Sequence, residues 1–93
     1  MRKRARIDDN QREIVKALRK IGYSVISLAS IGSGVPDLLI GIRGQNWLIE
    51  LKDGDKAPSR RRLTIDEQHF HDSWRGQVDV ANSLEEILEI ITK

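Results

Sequence analysis

Asp37-Leu38-Leu39-Ile40-Gly41-Ile42-Arg43-Gly44-Gln45-Asn46-Trp47-Leu48-Ile49-Glu50-Leu51-Lys52 holds two short apolar runs joined by a polar, glycine-containing link. Residues 37–42 and 47–52 are the length of strands, and the link has the length and residue types of a hairpin loop. If Ile42 faces Trp47, Ile40 pairs with Ile49, Leu38 with Leu51, Leu39 with Glu50 and Asp37 with Lys52. One face then carries Leu38, Ile40, Ile42, Trp47, Ile49 and Leu51, and the other carries Asp37, Glu50 and Lys52. Side chains alternate along a strand, so a slip of one residue would mix the two sets.

The flanks supply the remaining elements. Asp8 or Asp9 can cap a first helix over residues 9–21, in which Ile14, Val15, Leu18 and Ile21 form an apolar stripe and Gly22 marks the stop. Tyr23 to Leu28 is rich in strand formers, and residues 30–34 read as loop. Residues 53–62 form a polar loop containing Gly54 and Pro58. Thr64 with Glu67 is a capping box opening a second helix over 65–74, with Trp74 on the stripe of Phe70 and expected in the core, a dimer contact being the alternative. A strand over 77–81 follows, and Ser83 with Glu86 is a second capping box before a last helix with Leu84, Ile87, Leu88 and Ile91 buried. The expected order is α-β-β-β-α-β-α: an α/β fold with a mixed β-sheet flanked by helices, forming a single domain over 1–93 with residues 1–7 as a flexible basic arm.

The chain has 93 residues and 39% apolar content, enough for one modest core. It contains no cysteine, which excludes disulfides, thiolate nucleophiles and cysteine-based zinc sites. No apolar run is long enough for a membrane span or a signal region, so a cytoplasmic protein is expected, in the host cytoplasm if the source is viral. Net charge is only +2, but the charges segregate. Arg2, Lys3, Arg4 and Arg6 open the chain and Lys52, Lys56, Arg60, Arg61 and Arg62 lie mid-chain, while Glu85, Glu86 and Glu89 gather near the end. A positive face of this kind follows a phosphate backbone; the plainer alternative is a solvated surface.

Asp37 and Glu50 sit diagonally across the expected hairpin, with roughly 7–8 Å between backbones. Two carboxylates can close that gap on one hard cation, Mg²⁺ or Mn²⁺, with the main-chain carbonyl of Leu51 as a third oxygen. Such a cation polarises a phosphodiester and lowers the pKa of a water, and Lys52 beside it orients that water or neutralises charge on the phosphate. Either the acid after proline or the Glu-x-Lys occurs often by chance. Together on one polar face beside a basic loop, they point to a site.

Gly34-Val35-Pro36-Asp37-Leu38-Leu39-Ile40-Gly41, then Ile49-Glu50-Leu51-Lys52, then Leu63-Thr64 followed by Gln68, resembles the VRR-NUC (virus-type replication-repair nuclease) family of the PD-(D/E)xK superfamily. The resemblance spans nearly the whole chain. It implies a restriction-endonuclease-like core, a divalent metal on Asp37, Glu50 and the Leu51 carbonyl, Lys52 as catalytic lysine, and Gln68 as a motif glutamine near the site. It also implies the stand-alone bacteriophage type, a homodimer that cuts branched DNA such as four-way junctions. Junction-resolving relatives carry a glutamate on the first helix, and their pattern puts that acid at Gln11 here. Asp8, one turn earlier on the same face, and Glu13 are the alternatives.

Other features carry less. His69 and His71 project about 200° apart on a helix and cannot share an ion. Gly32 and Gly34 precede a strand, so they are no dinucleotide fingerprint. Arg60, Arg61, Arg62 and Lys56 are the expected DNA-backbone contacts. The competing function is a non-catalytic or regulatory nucleic-acid-binding module on the same fold; a sequence-reading restriction enzyme has little room for a base-reading element.

Overall fold

A computed structural model describes residues 10–93, so the basic arm of residues 1–7 and capping by Asp8 or Asp9 lie outside the described residues. The elements are α1 (Gln11–Lys20), β1 (Ser24–Ser27), β2 (Leu38–Ile42), β3 (Gln45–Leu51), α2 (Ile65–Ser73), β4 (Asp79–Ala81) and α3 (Leu84–Ile91), in the order expected, with a 3₁₀ turn at Pro58–Arg60. Asn10 occupies the N-cap position of α1 without a side-chain cap bond; its amide instead donates to the Lys52 carbonyl at 3.4 Å. At the other end Gly22 takes φ +100°, and the amides of Gly22 and Tyr23 close on the carbonyls of Arg19 and Leu18.

The sheet runs β1-β2-β3-β4, antiparallel between the first three strands and parallel between β3 and β4. The hairpin register differs from the expected one. Leu38 pairs with Ile49, Ile40 with Trp47 and Ile42 with Gln45, so β3 has moved by two residues. The cause is the turn: Arg43 at φ +54° and Gly44 at φ +75° form a two-residue link of left-handed residues, which matches the twist of the flanking strands better than a four-residue loop. A two-residue shift preserves face parity. Leu38, Ile40, Ile49 and Leu51 therefore still face the core, fully buried with Leu18 of α1 and Ile87 of α3. Ile42 and Trp47 close its edge, half-buried.

Helices α1 and α3 cover this apolar face, and α2 lies over the other, where Phe70 meets a hollow lined by Leu39 and Leu48. No residue of α2 is buried, so polar ties at its start matter more than packing. The Thr64–Glu67 capping box forms as expected. The second box forms only by half: Ser83 accepts from the Glu86 amide, but the Glu86 carboxylate turns back to the amide and side chain of Asn82. Trp74 is not a core residue. It caps the end of α2 with 48% exposure and stacks on Phe70 at 4.9 Å between ring centroids, because the helix has ended and its backbone is extended there.

Candidate functional site

The two-residue shift changes the site more than the core. Continued by one residue, the observed register sets Asp37 directly opposite Glu50 rather than diagonal to it, and no longer opposite Lys52. Asp37 follows the buried Pro36 and is fixed twice: its carbonyl accepts from the Leu28 amide at 2.7 Å, and its Oδ2 accepts from the Leu51 amide at 2.8 Å. Glu50 is held in the parallel ladder opposite Val80, and the Lys52 amide donates to the Ala81 carbonyl at 2.9 Å. All three side chains are buried, with relative exposures of 8% for Asp37, 1% for Glu50 and 9% for Lys52.

Burial of this kind is costly for an acid. Desolvation, reinforced by the adjoining Asp37 carboxyl, pushes Glu50 up to about 10, and the Lys52 ammonium offsets only part of this. Its Oε1 is buried with no hydrogen-bond partner. A pair of opposed carboxyls, one with an orphaned oxygen, has a donor deficit of the sort a hard divalent cation fills. The residues fit such an ion. Among the described residues no group of three acidic, histidine or cysteine side chains is arranged as a metal cage, so further oxygens would have to come from main chain, water or substrate.

Lys52 is held by a residue the sequence reading assigned only to a cap. Its Nζ donates to Glu67 Oε1 at 2.8 Å, and the same oxygen accepts from the Thr64 amide at 2.8 Å. Burial alone would raise the Glu67 carboxyl, but the Lys52 ammonium and the Thr64 amide outweigh it and hold it below the ordinary carboxylate value. The capping box itself was the available signal, because it fixes the Glu67 carboxylate at the mouth of a helix whose preceding loop starts at Lys52. His71, one turn further on, is half-buried; that burial keeps its imidazole low despite Glu67, Asp72 and Asp79 nearby.

Other expected residues are not drawn in. Gln68 is exposed on α2 and donates to Asp72 Oδ1 at 2.9 Å, since the helix turns Glu67 and not its neighbour toward Lys52. Gln11 is buried, with its amide on Ser27 Oγ at 3.1 Å rather than on either acid, and its Oε1 lacks a partner. Asp8 lies outside the described residues. Arg60 and Arg62 are exposed, whereas Arg61 is half-buried against the start of α3, in a polar hollow with Asn82, Glu85 and Glu86. Lys56 is half-buried in the same loop.

An acid at the head of one strand facing the Glu-x-Lys of its neighbour, in a mixed sheet flanked by helices, defines a nuclease core of the PD-(D/E)xK class. The archaeal Holliday junction resolvase (Hjc) family model matches residues 2–71, and the chain belongs to that family. A solved VRR_NUC domain is 27% identical and superposes with a TM-score of 0.62, covering 88% of this chain and 89% of that one, which bears out the resemblance to VRR-NUC nucleases and their fold. An F-box/FBD/LRR-repeat protein of Arabidopsis thaliana is 32% identical over 90 residues, 88% of this chain. The chain spans only 20% of that protein, too small a share to carry its function over.

Proposed function

We propose that this nuclease is a metal-dependent DNA endonuclease that hydrolyses phosphodiester bonds in branched DNA such as four-way junctions. The observation that carries the reading is the buried, mutually opposed pair Asp37 and Glu50 beside an ammonium that is itself held in place. Asp37, Glu50 and the Leu51 carbonyl would hold Mg²⁺ or Mn²⁺, an all-oxygen donor set suited to hard ions. Such an ion supplies Lewis-acid polarisation of the phosphate and acidifies water.

The chain's own groups do the rest. Leu51's amide orients the Asp37 carboxylate, and the ladder to β4 orients Glu50. Glu67 is the positioning residue for Lys52, whose ammonium neutralises charge developing on the scissile phosphate. Arg60 and Arg62 meet the DNA backbone from the loop that follows Lys52. Gln68, the motif glutamine of the resemblance, is engaged with Asp72 and is assigned no step. The substrate class is supported by family membership, and a homodimer by the resemblance to VRR-NUC nucleases.

The test is an assay of purified protein on nicked, flapped and four-way DNA with Mg²⁺, with Mn²⁺ and with chelator. Metal-dependent cleavage preferring the branched forms is expected. Binding without cleavage under every condition would instead favour the non-catalytic module. Sedimentation of the same preparation reads the dimer.

A further inference from the structure

We propose that Arg12, Lys16 and Arg19 on α1 form a second DNA-backbone track, which holds an arm of the substrate other than the one beside Arg60 and Arg62. The proposal rests on the reading of the chain as a DNA nuclease. Residues 12, 16 and 19 are spaced i, i+4, i+7 and share one helix face, over an axial span of about 10 Å. That is about three phosphate-to-phosphate steps of roughly 3.4 Å along one strand of a duplex.

The track is built rather than merely charged. Arg19 is pinned by its Nη2, which donates to the Val25 carbonyl on β1 at 2.9 Å. The three cations rim a hollow of about 370 Å³ shared with Gln11, Val15 and Ser27, and no carboxylate lines it. Gln11 is 3% exposed, donates to Ser27, and leaves its Oε1 without a partner. Arg12, Lys16 and Arg19 have no carboxylate paired with them among the described residues.

Its placement suits a branched substrate. The track leans on β1 at one end of the sheet, while the loop bearing Arg60 and Arg62 is tied through Gly54 to Asn82, just beyond β4 at the other. Both begin at Lys52: the loop follows it in sequence, and Asn10, at the head of α1, touches its carbonyl. Two cationic paths diverging from one reaction centre fit two arms diverging from a branch point. The contacts are to phosphates and carry no base information.

The experiment compares wild type with Arg12→Ala/Lys16→Ala in full-length protein. Titrations of a four-way junction are run in chelator at several salt concentrations, with circular dichroism and sedimentation on both proteins. Two lost phosphate contacts should flatten the log–log salt slope by about 2, with unchanged ellipticity and sedimentation. The loss should exceed that on linear duplex, where one arm suffices. An unchanged slope with intact wild-type binding overturns this inference alone. An unchanged slope with altered sedimentation overturns it in favour of contact with a second copy of the chain. A wild-type protein that binds no DNA overturns the nuclease reading as well.

Discussion

Glu50→Gln should make the metal-free protein more stable and remove a pH dependence that the wild type carries. Glu50 is 1% exposed, and its carboxyl is pushed up to about 10 in the fold against an ordinary 4.5. A group whose folded pKa is raised contributes stability that is complete below its unfolded pKa and is lost as pH climbs toward the folded value. Between those limits the folded chain binds one proton more than the unfolded chain, so stability falls by about 1.4 kcal/mol per pH unit. The window from pH 7 to 8.5 isolates this group. His71, whose pKa is lowered, is mostly neutral there in both states, and Glu67, also lowered, is charged in both. Wild type should therefore lose about 2 kcal/mol over that window, an upper bound because Glu50 is coupled to Asp37. Glu50→Gln cannot ionise and should show only the residual slope, with a gain of up to about 3 kcal/mol at pH 7. Urea unfolding in EDTA at three pH values measures both. Equal slopes for the two proteins would refute the claim that Glu50 is held protonated, and with it the donor deficit that points to a cation.

Asp37→Ala and Asp37→Asn should both abolish metal-dependent cleavage, but only the alanine variant should lose about 1–3 kcal/mol of stability, because it orphans the buried Leu51 amide that Asp37 Oδ2 accepts at 2.8 Å; unfolding curves with a cleavage assay check both. Glu67→Gln keeps an acceptor for the Thr64 amide but loses the charge on Lys52, so helix content should persist while single-turnover cleavage falls by about tenfold or more at unchanged DNA affinity. Arg60→Ala/Arg62→Ala should flatten the salt slope of junction binding by about 2, whereas Arg61→Ala should change it little, since Arg61 is half-buried in the polar hollow it lines with Glu85 and Glu86; titrations in chelator read all three.

Face parity was the legible part of the fold. Alternation in residues 37–42 and 47–52 sorts the core face from the face of Asp37, Glu50 and Lys52 although the register is two residues out, because any even shift preserves it. The shift itself turned on whether Gln45 and Asn46 belong to the turn or the strand, and their polarity favoured the turn. In the fold both are exposed at the head of β3, where a polar strand residue costs nothing, and Arg43 with Gly44 closes the hairpin alone. Trp74 misled for a related reason: the spacing from Phe70 predicts a shared helical face, and the rings do stack, but neither is buried.

What could not be read from spacing was which side chain of α2 meets the site. Glu67 and Gln68 are adjacent, about 100° apart on the helix, and spacing alone does not choose between them; only the capping box marks Glu67, and its reach to Lys52 shows once the helix is rolled onto the sheet. The roll is set by polar groups, since α2 buries no residue of its own. One tie is the Glu67 oxygen shared by Thr64 and Lys52. Another is Gly34, at φ +80°, so close beneath the Asp66 carbonyl that a Cβ there would collide with it. Both ties are anchored next to site residues, Gly34 three positions before Asp37 and Glu67 on Lys52 itself. The helix that shields the site is thus fixed largely by the site, and a change that frees Lys52 from Glu67 would loosen the cover over the two acids as well as the lysine.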